Sequence, residues 1–271
     1  MKREEDKKTR IQYVFKRLRD EGGKALITFI TAGDPDLSIT KELIFTLERS
    51  GADIIELGIP FSDPMADGPT IQASSERALK KGVTLFRVLT LVKEVREKSE
   101  VPLILFGYYN PIFHYGPGRF AAAAKRAGVD GVLIVDLPPE ESGELKKELD
   151  RAGIDLVFLL TPTSDAERMR LVASKGSGFI YFVSLTGVTG ARKKLSTEIS
   201  GHLKEARKFT DLPIGVGFGV SSPAQAKKVC GYADGVIVGS AIIDIISRGG
   251  GRKKILREVG RFVSGMKKGM S

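Results

Sequence analysis

Cysteine, histidine and tryptophan are scarce in this chain of 271 residues. Cys230 is the only cysteine, His114 and His202 are the only histidines, and tryptophan is absent. A single cysteine excludes a disulfide framework within the chain. Two histidines far apart in sequence argue against a transition-metal site, which is usually built from several His or Cys ligands.

Long apolar runs are also missing. No run approaches the ~20 residues that a membrane-spanning helix requires. The first ten residues, MKREEDKKTR, are charged throughout and lack the apolar core of a signal peptide. Hydrophobic residues nevertheless make up 42% of the chain, which is enough for a sizeable core. We therefore expect a folded cytoplasmic protein with no membrane segment.

The net charge is +10, from 43 basic and 33 acidic residues. A positive charge of this size raises the question of nucleic-acid binding. The basic residues, however, are mostly interleaved with Asp and Glu. The densest clusters, at 191–194 and 251–254, are short and have no aromatic stacking residues beside them. We do not expect nucleic acid to be the partner, whereas a phosphorylated or carboxylate substrate would be attracted by the positive field.

Short apolar runs alternate with stretches of helical periodicity along the whole chain. Each run is rich in β-branched residues and bounded by Gly, Pro or Asp, which predicts buried parallel strands. There are eight such runs, at 24–33, 53–59, 102–108, 130–136, 155–160, 178–184, 213–219 and 234–240. Eight strands alternating with helices predict a (β/α)8 TIM barrel, with an open doubly wound sheet as the alternative. We expect one domain over residues 1–271, in which an extra helical segment at 1–22 covers the barrel floor.

A glutamate interrupts the second apolar run. Glu56 stands inside IIELGI, and a loop stiffened by three prolines follows it and carries Asp63 and Asp67. An ionised carboxylate in a core costs several kcal/mol, so such a residue is a candidate for chemistry. Low dielectric should raise its pKa and suit it to proton transfer. We expect Asp63, and Asp136 after the fourth strand, to have structural roles in their loops.

Small-residue turns follow the last three strands. They are GVTG at 187–190, GFG at 217–219 and GSA at 239–241. Backbone N–H groups can approach an anion closely at such turns, and the last βα loops of these barrels commonly bind phosphate. The alternative is that these glycines only make tight turns. We predict a phosphate site here, to which Ser240 adds a hydroxyl.

Several kinds of catalysis have no candidate residues. No strand run has a lysine in its interior, so a Schiff-base lysine on a strand is missing. The chain has no G-x-S-x-G elbow and no P-loop. Carboxylates and the tyrosines beside them remain as the chemical groups at the strand ends.

The motif ELGIPFSDPMADGPTIQ, at 56–72, closely resembles the signature of the tryptophan synthase α-subunit family. The resemblance continues in order through FITAGDP, DGVLIVDLPPEE, SLTGVTGAR, GFGVSSP and VGSAII, and so spans nearly the whole chain. It implies cleavage of indole-3-glycerol phosphate to indole and glyceraldehyde 3-phosphate. It also implies a β subunit as partner in an α2β2 complex, with pyridoxal phosphate on that partner only and no cofactor or metal on this chain.

The resemblance also implies roles for individual residues. Glu56 would be the catalytic acid/base, Asp67 would hold the indole N–H, and Tyr181 would stand near the substrate as a third catalytic residue. The residues implied at the indole pocket are Phe29, Phe106, Leu133 and Phe218. Thr189 would lie on a loop that closes over the substrate, and the residues implied at the phosphate are Gly190, Gly219, Gly239 and Ser240.

Two other interpretations remain open. Another phosphate-binding barrel, such as a phosphosugar isomerase, would share the glycine turns but lack Glu56 together with Asp67. A non-catalytic regulatory subunit would keep the fold and activate a partner without turning over substrate itself. Release of indole would separate the predicted enzyme from both.

Overall fold

The computed structural model describes residues 9–184, 192–217 and 219–270, and for residues 192–198 it describes the helical backbone alone. Within these ranges eight parallel strands form one closed barrel in the order β1 to β8, with β8 pairing back to β1. The strands are β1 (Ala25–Thr31), β2 (Ile54–Gly58), β3 (Leu103–Gly107), β4 (Gly131–Ile134), β5 (Asp155–Leu160), β6 (Ile180–Val183), β7 (Ile214–Gly217) and β8 (Gly235–Val238). The predicted (β/α)8 barrel is confirmed, and the open sheet is wrong.

Twelve helices are present in the described residues. They are α1 (Arg10–Asp20), α2 (Leu37–Arg49), α3 (Pro69–Lys80), α4 (Leu85–Arg96), α5 (Tyr109–Tyr115), α6 (Pro117–Ala127), α7 (Gly143–Ala152), α8 (Ala166–Lys175), α9 (Arg192–Ala206), α10 (Pro223–Cys230), α11 (Ser240–Ser247) and α12 (Arg252–Gly269). Two helices follow each of β2, β3 and β8. No helix in the described part of the chain is long and apolar enough to cross a membrane.

Local sequence explains where many of these helices begin. Asp36 caps α2 by accepting a hydrogen bond from the Ile39 N–H at 2.8 Å, and Asp165 caps α8 in the same way through Arg168. Ser222 caps α10, whose first residue is Pro223. These side chains satisfy N–H groups that the first helical turn leaves without a partner.

The barrel interior is filled at its N-terminal end by side chains from the strands and from α1. Helix α1 buries Ile11, Val14, Phe15 and Leu18 in one cluster with interior residues such as Ile27, Ile104 and Phe179. The rings of Phe15 and Phe179 lie 5.6 Å apart. The helix therefore lies across the floor of the barrel. The assignment of residues 1–271 to a single domain stays a prediction.

Side chains that precede the even-numbered strands accept hydrogen bonds from the odd-numbered strands before them. Asp53, before β2, accepts a hydrogen bond from the Leu26 N–H of β1 at 2.8 Å. Asp130, before β4, accepts from the Leu103 N–H of β3 in the same way. Asp234, before β8, accepts from the Ile214 N–H of β7. Ser177 takes this place between β6 and β5, where its hydroxyl accepts from Leu156 N–H. One side-chain acceptor thus links each odd strand to the even strand that follows it.

Candidate active site

A cavity of about 430 Å³ opens at the C-terminal ends of the strands. This size suits a small organic ligand. Strand ends and the loop after β2 supply most of its lining, which includes Phe29, Glu56, Asp67, Ile71, Phe106, Val135, Leu159, Thr161, Tyr181, Val183, Gly219, Ile237, Gly239 and Ser240. The reaction site of (β/α)8 enzymes lies at this end of the barrel, so the cavity is the candidate active site.

Glu56 lies in the middle of β2, where its backbone pairs with Phe29 of β1 and Ile104 of β3. Its side chain lines the cavity but is only 1% exposed. Neither carboxyl oxygen has a hydrogen-bond partner among the described residues. Burial raises the pKa of Glu56 to about 8, because the charged form loses its hydration and gains no partner. This carboxyl group can therefore carry a proton at neutral pH.

Asp67 reaches the same cavity from the loop between β2 and α3. Its backbone N–H donates to the Pro64 carbonyl at 3.0 Å, and its own carbonyl accepts from Gln72 Nε2 at 2.8 Å. Burial raises the pKa of the side chain to about 6, and a hydrogen bond from Tyr108 opposes part of that rise. Asp67 is therefore mostly ionised at neutral pH, while Glu56 is mostly protonated.

Tyr108 stands directly behind Asp67. Its hydroxyl donates to Asp67 Oδ2 at 3.1 Å, yet Tyr108 is not part of the cavity wall. The sequence analysis did not include Tyr108 among the site residues. The clue was its position at the exit of the strand that pairs with β2, since neighbouring parallel strands end side by side.

Aromatic rings form one wall of the cavity. Phe29 and Phe106 meet edge to face, with their centroids 5.2 Å apart. The Tyr181 ring packs directly over Gly217, where an added Cβ would collide with the phenol. Burial raises the pKa of Tyr181, and the charges of Glu56 and Asp67 act in the same direction. Tyr181 therefore stays protonated and can donate a hydrogen bond into the cavity.

Leu133 does not line the cavity. It is fully buried in the interior cluster at the barrel floor, with Phe106 packed against that cluster. Val135, two residues further along, lines the cavity instead. Successive side chains of a strand alternate between its faces, so Leu133 and Val135 share a face at different depths. Sequence reasoning also did not name Val135, Leu159, Thr161 and Ile237, which resemble ordinary strand residues.

Small residues form part of the cavity wall beside Phe29, where a Cβ on Gly239 would lie 3.3 Å from Phe29 Cβ. Gly219, Gly239 and Ser240 line the cavity, and Ser240 begins α11. No side chain in the described part of the chain caps this helix, while Gly239 O accepts hydrogen bonds from the N–H groups of Ile242 and Ile243. Uncapped N–H groups and the positive end of the helix dipole favour an anion. Three other predicted site residues, Thr189, Gly190 and Phe218, lie outside the described residues.

Asp63 and Asp136 lie in loops beside the site. Asp136 accepts a hydrogen bond from the Tyr109 N–H at 2.7 Å and so joins the end of β4 to the start of α5. Asp63 is exposed and bonds to its neighbour Ser62. Neither residue lines the cavity. Both contacts fit the structural roles that the sequence predicts.

The fold and the site together define the class of protein to which this chain belongs. A closed (β/α)8 barrel holds two carboxyl groups of raised pKa in one cavity at its catalytic end, which is the arrangement of an acid–base enzyme.

Comparison with known proteins defines the family. The family described as "Tryptophan synthase alpha chain" matches residues 15–271. The tryptophan synthase alpha chain of Geotalea uraniireducens is 58% identical over 263 residues, which cover 97% of this chain and 98% of that protein. The chain belongs to the tryptophan synthase alpha chain family. The resemblance seen in the motifs is confirmed, and the chain is an enzyme subunit of tryptophan biosynthesis.

Solved structures agree with this assignment. The crystal structure of tryptophan synthase subunit alpha from Legionella pneumophila superposes with a TM-score of 0.91 at 40% identity, covering 97% of this chain and 98% of that one. A structure of the tryptophan synthase α2β2 complex from Pyrococcus furiosus contains a chain that superposes with a TM-score of 0.83 at 41% identity. In that case 89% of this chain and 97% of the other are covered.

Proposed function

We propose that this chain cleaves indole-3-glycerol phosphate to indole and glyceraldehyde 3-phosphate by proton transfer through carboxyl groups. The observation that carries the proposal is the pairing of Glu56 and Asp67. Glu56 is buried with no hydrogen-bond partner among the described residues and holds a proton near neutral pH, whereas Asp67 faces the same cavity and is mostly ionised. Two carboxyl groups with different charge states can act as an acid and as a charge-stabilising group at once.

The reaction needs one proton given and one proton taken. Glu56 donates its proton to C3 of the indole ring, which makes the ring a cationic indolenine, and Asp67 accepts the N–H and stabilises that positive charge. A base, Glu56 carboxylate in the simplest case, then removes the hydroxyl proton of the adjacent glycerol carbon. The C–C bond breaks, the hydroxyl carbon becomes the aldehyde, and the bonding electrons restore the aromatic ring.

We assign the two parts of the substrate to the aromatic and the small-residue parts of the cavity wall. We propose that the indole lies between Phe29, Phe106 and Phe218, with Leu133 beneath and Tyr181 beside it. The phosphate would be held by Gly190, Gly219, Gly239 and Ser240. An uncapped helix start at Ser240 supports this assignment, because exposed N–H groups bind phosphate well. Thr189 would cover the bound substrate.

A β subunit is the proposed partner, in an α2β2 complex. The similar chain from Pyrococcus furiosus belongs to a structure of such a complex. Met65, in the loop that carries Asp67, is 91% exposed and is therefore accessible to a partner. Pyridoxal phosphate would belong to that partner, and this chain would need no cofactor. We expect the complex in the cytoplasm.

Indole release from the purified chain tests the proposal. We expect the wild type to form indole, and to form it faster with a β subunit. Glu56→Gln should fold but lose activity by about a thousandfold, because an amide cannot transfer the proton. Glu76→Gln is the matched control, since Glu76 is exposed on α3, outside the cavity wall, and forms an ion pair with Lys80.

The possible failures point to different conclusions. Full activity of Glu56→Gln would remove the assignment of Glu56. A folded wild type that releases no indole, with or without a β subunit, would favour another phosphate-binding barrel. Binding and activation of a β subunit without cleavage would favour the regulatory subunit.

A further inference from the structure

The side chain of Tyr108 links the end of β3 to Phe61 and to the loop that carries Asp67. It follows β3 directly, it is 5% exposed, and its ring stacks on Phe61 with centroids 5.0 Å apart. Its hydroxyl accepts a hydrogen bond from the Ala66 N–H at 3.0 Å and donates one to Asp67 Oδ2 at 3.1 Å. Through these contacts the C-terminal end of β3 holds the loop that carries Asp67.

The direction of the second hydrogen bond follows from the first. A phenol hydroxyl has one hydrogen to donate, and the Ala66 N–H already points at its oxygen. The phenol hydrogen is therefore free to point at Asp67. A carboxylate accepts this hydrogen better than a neutral carboxyl group does. The contact thus favours the ionised form of Asp67.

We propose that Tyr108 is a positioning residue that holds the Asp67 carboxylate at the cavity and keeps it ionised for the indole N–H. This inference rests on the role of Asp67 in the proposed function. Tyr108 does not touch the cavity, so it acts on the reaction only through Asp67 and its loop.

Other ionisable groups around Asp67 do not replace this contact. Glu56 faces the cavity from β2, Tyr181 faces it from β6, and Asp63 lies on the same loop. Asp136 faces Tyr108 from the end of β4. All four are acidic groups, and no cationic side chain in the described part of the chain forms an ion pair with Asp67. The Tyr108 hydroxyl is thus the side chain that opposes the effect of burial on Asp67.

The test replaces the hydroxyl and follows Asp67 directly. Tyr108→Phe keeps the ring on Phe61 and removes both hydrogen bonds. We expect the pKa of Asp67 to rise by about one unit, because its ionised form loses a donor. Carbon-13 NMR of Asp side-chain carboxyl groups would measure that titration, with the Asp67 signal assigned from its loss in Asp67→Asn. Tyr109→Phe is the matched control, since the ring of Tyr109 packs on Phe113 and makes no contact with Asp67.

Activity supplies the second readout. For Tyr108→Phe, the acid limb of the kcat/KM profile should move to higher pH with the NMR titration. At pH 7, kcat/KM should fall about twofold, because a rise of about one unit leaves Asp67 about half protonated there. Tyr109→Phe should keep the wild-type profile. Site-specific 3-fluorotyrosine at position 108 gives a more acidic donor, and it should move both titrations to lower pH without removing any atom of the contact.

Each result has a distinct meaning. An unchanged Asp67 titration in Tyr108→Phe, or no opposite shift with 3-fluorotyrosine, would overturn the inference. A uniform loss of activity with an unmoved acid limb would reduce Tyr108 to a structural support of the loop and would also overturn it. If the wild type releases no indole, the proposed function fails, while the NMR titration still decides whether Tyr108 controls Asp67.

Discussion

Glu56 and Asp67 are ordinary carboxyl groups whose surroundings make them different from each other. Burial acts on both, but Glu56 has no partner in the described structure, whereas Asp67 accepts a hydrogen bond from Tyr108. The pKa rises to about 8 for Glu56 and to about 6 for Asp67. The interval between the two values is the pH range in which one carries a proton and the other a charge.

This interval predicts a bell-shaped pH profile. Below about pH 6 Asp67 takes up a proton and can no longer stabilise a positive ring, and above about pH 8 Glu56 loses the proton that it must donate. We expect kcat/KM for indole release to fall on both sides of this range. Asp67→Asn should remove the acid limb, with a more variable loss of activity, because an amide still accepts a hydrogen bond but carries no charge.

The measurement is kcat/KM from about pH 5 to about pH 9.5 at constant ionic strength, a range that spans both titrations. Glu76→Gln should reproduce the wild-type curve. A wild-type profile that is flat across this range would contradict the assigned charge states.

At the floor of the barrel, buried side-chain acceptors join neighbouring strands in addition to the hydrogen bonds of the sheet. Asp130 is 4% exposed, accepts from the Leu103 N–H, and pairs with Arg96 and Arg10. Arg96 in turn donates to the carbonyls of Gly128, Ser99 and Val101. One carboxylate thus organises the ends of β3, β4, α4 and α1.

Removing the charge of Asp130 should therefore be costly. We expect Asp130→Asn to lower the free energy of unfolding by about 2–4 kcal/mol, because a largely buried Arg96 loses its counter-charge. The matched control is Asp150→Asn on α7, where an exposed Asp pairs with Lys146. That change should cost less than about 1 kcal/mol. Denaturant unfolding at pH 7 measures both changes in the free energy of unfolding. Equal losses for the two variants would contradict the stabilising role of the buried Asp130 carboxylate.

Whole-molecule stability depends on how the barrel is closed at the end opposite the cavity. The cavity is open at the C-terminal face, so only the N-terminal half of the interior can be packed solid. Helix α1 supplies the buried side chains that close this end of the interior. Ile11 is completely buried against the start of β4, where a Cβ on Gly131 would contact it at 2.8 Å.

A cavity introduced in that layer should destabilise the whole barrel. We expect Ile11→Ala to reduce the free energy of unfolding by about 2–4 kcal/mol, since the interior cannot collapse around the lost side chain. Tyr13→Ala on the same helix is the control, because Tyr13 is 63% exposed, and it should change stability by less than about 0.5 kcal/mol. A small effect of Ile11→Ala would show that α1 is not part of the cooperative unit.

The sequence by itself determined the strand order, the alternation with helices and the two carboxyl groups. Continuous apolar runs can only be buried on both faces, and a Glu inside such a run is conspicuous because its burial is expensive. A helix cap such as Ser222 is equally local, since it acts on a residue only a few positions away. These features are local, so a short stretch of sequence contains their physical cause.

Tertiary structure decided the depth and the partnership of the site residues. Leu133 and Val135 look alike in sequence, and only the height at which β4 crosses the barrel puts Val135 at the cavity and Leu133 beneath it. The hydrogen bond from Tyr108 to Asp67 joins residues 41 positions apart. Burial and distance between remote segments set both pKa values, and neither quantity exists until the barrel closes.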